Sequence, residues 1–366
     1  MSQTTSAPRW ISGIEPPKEL LSADGTRILE LECRQQPERL HEIIRAFSKD
    51  EEIRAELKAL RNMAKAKGPV MFIGMGGSLC SAISGSIMLQ SHGRSSFSVD
   101  AGEWLHYGSS VWQDAAASIL LTTSGESAEP VELCKRMGAE QLALICNNTA
   151  STCWKLAQHK LPILAEPEYG NATKTYTNAA AAAIIAASEM LSYRWEEDAM
   201  RALDVVAGSL DRILGMREQM EEFWRGTVNT EVIGRGSAFG AAVMGALTIR
   251  EMSGHRAAPH TGAGFKHGPN LDVDASHLAV IFALGRTAGL GVKLAQECNR
   301  RGGKVILVSS GDHARSDRLL PVNIDAVPEP WESVTSILVA QALTLGIIEK
   351  FGCRLPPRFQ YGAMEQ

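Results

Sequence analysis

Short apolar runs that end in glycine or hydroxyl residues recur along the chain. Val70–Ile73 leads into Gly74-Met75-Gly76-Gly77, and Phe97-Ser98-Val99 into Ala101-Gly102-Glu103. Ser118–Leu121 leads into Thr122-Thr123-Ser124-Gly125, Leu142–Cys146 into Asn147-Asn148, and Leu161–Leu164 follows. Helix-length segments, 78–92, 128–138 and 151–158, lie between these strand-length runs. Strand, turn and helix in repetition predict a parallel sheet with crossover helices on both faces. The pattern then returns. Glu231-Val232-Ile233 runs into Gly234-Arg235-Gly236-Ser237, Leu278–Leu284 into Gly285-Arg286, and Lys304–Val308 into Ser309-Ser310-Gly311. A further strand over Val322–Val327 and an apolar helix over 331–351 close the series. A helical stretch, about 178–228, separates the two sets. Ahead of them, Pro8, Pro16 and Pro17 predict an irregular arm to about residue 25, and a helical pattern from Thr26 to Lys67 carries a break at Pro37. The chain reads as a divergent duplication: an arm and helix over 1–50, a first α/β unit over 51–210, and a second unit with a tail over 211–366.

Composition narrows the function. A chain of 366 residues fits two domains of ordinary size. With 37 basic and 41 acidic residues the net charge is −4, which argues against nucleic acid or an anionic membrane as partner. The longest purely apolar run, Ala179–Ala187, is far short of the ~20 residues that span a bilayer. The opening MSQTTSAPRW has no basic flank followed by an apolar stretch, so no signal peptide is expected. Seven cysteines without a CxxC pair read as reduced thiols of a cytoplasmic protein, with neither a disulfide frame nor a metal site. Glycine is abundant, 33 residues against 9 Phe, 7 Trp and 5 Tyr, as expected where the backbone turns at many strand ends.

Those turns carry the candidate chemistry. Gly74-Met75-Gly76-Gly77-Ser78 closes a strand and opens a helix, where close backbone approach and exposed amides favour an anion. A dinucleotide fingerprint needs glycine at position 79, which is Leu79, and a Walker loop needs Gly-Lys-Ser/Thr, which is absent. Thr122-Thr123-Ser124-Gly125-Glu126-Ser127 places four hydroxyls in six residues at a strand-to-helix turn. One hydroxyl suffices as a helix cap at Ser124 or Ser127; four suit a phosphate.

Together these loops resemble the paired sugar-phosphate loops of the sugar isomerase (SIS) family, whose second loop has the form Ser-x-Ser-Gly-Glu-Thr. Further segments are similar to the isomerase half of glucosamine-6-phosphate synthase. They are Glu32 through Gln36-Pro37, Ala101-Gly102-Glu103-Trp104, Ala172-Thr173-Lys174-Thr175-Tyr176-Thr177 and Lys266-His267-Gly268-Pro269. The resemblance covers about residues 28–360. It implies two SIS domains, each a three-layer αβα unit, that bind a small sugar phosphate without a cofactor. Gly76, Gly77, Ser78, Thr122, Thr123, Ser124, Ser127 and Lys174 are the implied phosphate and sugar contacts.

The resemblance also implies a pair of catalytic residues. Glu251 matches the glutamate that moves a proton between C1 and C2 of the open sugar, and His267 the histidine that opens the ring. Glu251 follows Ala241, Ala242, Val243, Gly245, Ala246 and Leu247, an apolar setting expected to raise a carboxyl's pKa, and histidine shuttles protons near neutral pH. His255 and His260 are secondary candidates, and Lys174 and Lys266 are open between phosphate contact and structure. The chain departs from the synthase at several places. The lysine one turn before the glutamate is Thr248, the acidic residue before Lys-His-Gly-Pro is Gly264, and no lysine follows Lys350 to form a Schiff base. No glutaminase half is expected either. The function expected is a deglycase that splits a 6-phosphorylated Amadori (fructosamine-type) compound to hexose 6-phosphate and free amine. An aminosugar-6-phosphate deaminase/isomerase, a plain aldose–ketose isomerase and a non-enzymatic phosphosugar sensor are the alternatives. Family likeness further implies a homodimer in which His267 reaches the neighbouring subunit's site.

Overall fold

The computed structural model describes residues 23–138 and 140–355. The expected arm and the end of the tail lie outside the described residues. In chain order the elements are α1 (Gly25–Lys49), α2 (Glu51–Met63), β1 (Val70–Gly74), α3 (Gly77–Ser91), β2 (Ser96–Asp100), α4 (Ala101–His106), β3 (Ala117–Thr122), α5 (Ala128–Arg136), β4 (Leu142–Cys146), α6 (Thr152–Leu156) and β5 (His159–Pro162). Three helices follow, α7 (Lys174–Leu191), α8 (Glu196–Gly215) and α9 (Arg217–Trp224). The second series is β6 (Asn229–Gly234), α10 (Ala238–Ser253), β7 (Ala257–Thr261), α11 (Gly262–Lys266), β8 (His277–Ala283), α12 (Ala288–Arg300), β9 (Lys304–Ser309), β10 (Leu319–Asn323) and α13 (Glu332–Phe351).

The strands form two five-stranded parallel sheets, ordered β2-β1-β3-β4-β5 and β10-β9-β8-β6-β7. Strand alternation feeds a separate layer on each face. Val70 and Phe72 join the central core, while Met71 and Ile73 pack outward with Trp104, Leu133 and Cys153. In the second sheet Val280 and Phe282 face the centre, and Ala279 and Ile281 face Phe265 and Leu294. The central core is continuous from Leu29 to Ile348, so the two units share one interior.

The helices of that interior are apolar nearly all round, as buried helices are. α7 is buried from Lys174 to Ser188 and α13 from Glu332 to Ile348. Among the described residues α13 alone has the length and apolarity of a bilayer-spanning helix, but 83% of its most apolar window lies inside the fold. Small residues let these helices close on one another. A Cβ on Gly240 of α10 would stand 2.6 Å from the Cys80 carbonyl oxygen of α3, and one on Gly245 2.6 Å from Ala340 of α13. Part of the glycine surplus therefore serves helix contact rather than strand-end turns.

The break expected at Pro37 is absent: α1 runs unbroken from Gly25 to Lys49 and ends at Asp50, whose side chain caps α2. Proline leaves the carbonyl one turn back without its usual donor. Here Gln36 Nε2 donates to that carbonyl, Cys33 O, at 3.0 Å. Three edge strands also differ from expectation. β5 and β10 begin earlier than their apolar runs, and β7 was not foreseen. Each contains a proline, Pro162, Pro321 and Pro259, which an edge strand tolerates because one side of its ladder is unpaired.

Candidate active site

In each sheet the chain turns one way from the first strand and the other way from the third, so a crevice opens at their carboxyl ends. In the first unit that switch point lies between β1 and β3. The loops that follow these strands are Gly74–Ser78 and Thr122–Ser127, so the topology brings the two sequence-marked loops together.

Their local geometry separates structural hydroxyls from available ones. Gly76 adopts φ +52° at the start of α3, with nothing within 4 Å of where its Cβ would stand. Gly77 is packed closely: its Cβ position is 3.3 Å from Ala172 Cβ and 3.4 Å from Met244 Sδ. In the second loop Thr122 Oγ1 accepts from the Gly125 amide at 3.1 Å, and Ser124 Oγ from the Glu126 amide at 3.3 Å. Gly125, at φ +65°, is held over Ser151. Glu126 turns away to accept from the Thr152 amide and hydroxyl at 2.9 and 2.8 Å. Ser127 sits at the cap position of α5 without capping it. The hydroxyls of Ser78, Thr123 and Ser127 are half-buried and make no hydrogen bond among the described residues. They lie beside the N-termini of α3 and α5, where helix dipoles favour negative charge.

Lys174, the first residue of α7, is buried, and its ammonium is taken up inside the fold. It donates to Gln35 Oε1 at 2.7 Å and lies 3.8 Å from the Glu166 carboxylate. Lys266 pairs with Glu297 at 3.0 Å on the second unit, which holds the Glu297 carboxyl below its ordinary range.

Glu251 lies in the last turn of α10 and is exposed, so the apolar enclosure expected from its neighbours in sequence is not found. Helical spacing explains the difference. Ala241, Ala242, Gly245, Ala246 and Ile249 face the interior, whereas Val243, Leu247 and Glu251 follow one another along the outer face. Two residues to which the sequence reading gave no role stand behind Glu251. The Asn171 side-chain amide donates to Glu251 Oε2, and Thr248 Oγ1 donates to Asn171 Oδ1 at 2.9 Å. Asn171 belongs to the turn before α7, so an amide of the first unit grips a carboxylate of the second. The signal for Thr248 was its departure from the family lysine; Asn171 carried none.

A buried carboxyl fixes that turn. Glu32 of α1 accepts from the amides of Tyr169 at 2.5 Å and Gly170 at 3.2 Å. Burial, then the nearby Glu168 charge, raises its pKa to about 8, against the opposing pull of those amides and Lys174. Glu168 in turn accepts from the Thr173 amide and hydroxyl at 2.9 and 2.5 Å.

His267 follows α11, beyond the edge strand β7, and is exposed. Its imidazole makes no hydrogen bond among the described residues, and α11 packs against β6, β7 and α12 of its own unit. The secondary candidates are structural. His255 packs edge-on against Trp224 and Phe351, and burial, with Arg354 nearby, lowers its pKa. His260 pairs with Glu231 at 2.8 Å. Among the described residues no group of three or more His, Cys, Asp or Glu is placed to hold a metal ion.

Comparison with known proteins agrees with the two-sheet fold. The family model described as the SIS domain matches residues 62–188 and 230–346, which take in both sheets. A glutamine–fructose-6-phosphate aminotransferase (isomerizing) of Zymomonas mobilis is 29% identical over 224 residues, 58% of this chain and 37% of that protein. The chain thus spans less than half the length of the curated relative it matches. Among solved structures, the C-terminal domain of glucosamine-fructose-6-phosphate aminotransferase from Francisella tularensis superposes with a TM-score of 0.77 at 21% identity, over 89% of this chain and 96% of that one. Tagatose-6-phosphate ketose/aldose isomerase from Escherichia coli gives a TM-score of 0.70 at 18% identity, over 92% and 95%.

Proposed function

The chain belongs to the SIS domain family, and on that footing we propose that it is an enzyme that moves a proton between C1 and C2 of a 6-phosphorylated sugar. The observation that carries this reading is the junction of unused hydroxyls with a gripped carboxylate. Gly77 of the first phosphate loop packs against Ala172, and the adjacent Asn171 holds Glu251. Phosphate holding and proton transfer would then share one contiguous block.

The substrate class favoured is a 6-phosphorylated Amadori compound. Glu251 takes a proton from C1, which gives a 1,2-enaminol. Reprotonation at C2 gives a C1 imine, and water splits it to hexose 6-phosphate and free amine. The names of the relatives, which join a hexose 6-phosphate to an amine transfer, support a nitrogen-bearing substrate. His267, exposed beyond an edge strand, would assist ring opening in the site of a second copy of the chain. A second reading, aldose–ketose isomerisation, needs the same carboxylate and is favoured by the likeness to the tagatose-6-phosphate isomerase.

Glu251→Gln is expected to lower turnover of a 6-phosphofructosyl-amino acid by about 10²–10⁴-fold, the range for a general acid–base group, with sugar-phosphate binding retained. Product analysis separates free amine from a ketose. Mixing Glu251→Gln with His267→Ala protein should restore part of the activity if the site is shared. Wild-type turnover in Glu251→Gln would overturn the assignment.

A further inference from the structure

A residue that takes and returns a proton in every turnover is an acceptor in one half of the cycle and a donor in the other. Its fixed partner must suit both forms. Asn171 and Thr248 are fully buried, so water does not stand in for a lost partner there. With Glu251 ionised, Asn171 Nδ2 donates to Glu251 Oε2 and the Thr248 hydroxyl donates to Asn171 Oδ1. The same hydroxyl oxygen is 2.9 Å from the Met244 carbonyl oxygen, equal to its 2.9 Å separation from Asn171 Oδ1. One hydroxyl proton thus has two acceptors at equal distance.

We propose that Asn171 and Thr248 are positioning residues for Glu251, a reversible pair that holds its carboxyl in both its ionised and its protonated form. The inference rests on Glu251 as the proton carrier. When Glu251 holds the proton, its carboxyl donates to Asn171 Oδ1 with the amide turned over. Asn171 Nδ2 then donates to Thr248 Oγ1, and the Thr248 hydroxyl swings to Met244 O. The contacting atoms of Glu251, Asn171 and Thr248 each keep a partner in both arrangements, since an amide offers both faces and a hydroxyl rotates. No covalent bond changes, and the proton itself stays between sugar carbon and Glu251. Ala172 and Met244, neighbours of this pair in sequence and space, both touch the Gly77 position. The pair is therefore set against the loop assigned to the phosphate.

Two measurements test this. In protein labelled with ¹⁵N-asparagine, the Asn171 side-chain amide signal is expected to change at the pH where the Glu251 carboxyl carbon titrates, and Thr248→Val should weaken that response. In turnover, Thr248→Val and Asn171→Ala should lower kcat on the order of 10- to 100-fold, as small misplacement of a reacting group does, with KM within about threefold. Thr248→Ser, which keeps the hydroxyl, should restore kcat to within about twofold of wild type. Thr248→Val serves if Asn171→Ala folds poorly. An Asn171 signal that ignores Glu251, or equal losses in Thr248→Ser and Thr248→Val, would overturn the pair. Lack of turnover by wild type on any phosphosugar would sink the functional reading instead, while the amide signal still decides the pair.

Discussion

The two units share a backbone device and differ in what fills it. In the first, Gly74 approaches the Ser78 backbone, Gly76 has φ +52° and Gly125 has φ +65°. In the second, Gly234 approaches the Ala238 backbone, Gly236 has φ +56° and Gly285 has φ +57°. The positive-φ glycines that shape the β1 and β3 loops thus recur after β6 and β8, Gly236 at the offset of Gly76 and Gly285 one residue earlier than Gly125. The crevice chemistry is opposite. Around the first crevice, the hydroxyls of Ser78, Thr123 and Ser127 make no hydrogen bond among the described residues. Over the second, Glu332 and Glu329 bring carboxylate oxygens to within 2.0 and 2.5 Å of where a Gly285 Cβ would stand. Glu329 takes the Arg286 amide at 2.7 Å and its guanidinium at 2.7 Å, and Glu332 takes the Ser237 hydroxyl at 3.2 Å. In the second unit carboxylates of the chain itself occupy the crevice. The two copies keep the same fold and differ in what stands over their crevices.

The largest effect should come from giving the first unit the second unit's chemistry. Thr123→Glu puts a carboxylate beside the proposed phosphate position, and juxtaposed like charges cost several kcal/mol. A hexose 6-phosphate should bind at least about 100-fold more weakly by calorimetry, with the fold intact by circular dichroism. Binding within threefold of wild type would break the comparison.

A paired substitution sharpens it at smaller amplitude. Alanine at Gly125 or at Gly285 meets a left-handed backbone and a close neighbour, so each should destabilise the fold by about 1–2 kcal/mol. Only Gly125→Ala should also raise KM, by about tenfold or more. An equal rise in KM for Gly285→Ala would mean that the second crevice takes part in substrate binding.

The same contrast explains what the sequence could tell. Interior strands were legible because both faces are buried: Val70–Gly74, Leu142–Cys146 and His277–Ala283 are fully buried, and they read as apolar runs. Of the edge strands that contain a proline, the one with Pro259 was not, and those with Pro162 and Pro321 were placed only in part, because pairing on one side asks for no such run. Pro37 misled for a tertiary reason, since Gln36 repairs the helix with its own side chain. The Gly74–Ser78 and Thr122–Ser127 loops were legible as strand-to-helix turns because local backbone needs fix their glycines and hydroxyls. Asn171 was not, because its meaning depends on a partner 80 residues away. Nor could the plug of the second crevice be read, since Glu329 and Glu332 meet Gly285 only after α13 has packed.

The smallest effects separate the buried carboxyls that each unit carries. Burial, then Glu329, raises the Glu332 pKa to about 7, although the Ser237 hydrogen bond and Arg286 oppose the shift. Glu32, which ties the turn before α7, is raised to about 8. Both stand above the ordinary carboxyl value of 4.5, so the folded state prefers them protonated. Their contribution to stability is complete below that value and is lost as pH rises through 7 for Glu332 and 8 for Glu32. Wild-type Tm should accordingly fall by a few degrees between mildly acidic pH and about pH 9. Glu332→Gln should remove the part of that fall that lies between about pH 4.5 and 7 and leave KM unchanged, because carboxylates of the chain itself occupy its crevice. Glu32→Gln should remove a part that begins at the same pH and extends to about 8, and it should disturb kcat as well, because the turn that Glu32 secures carries Asn171. Identical kinetics in the two variants, whatever their Tm profiles, would mean that the tether of the first unit is as remote from the chemistry as the plug of the second.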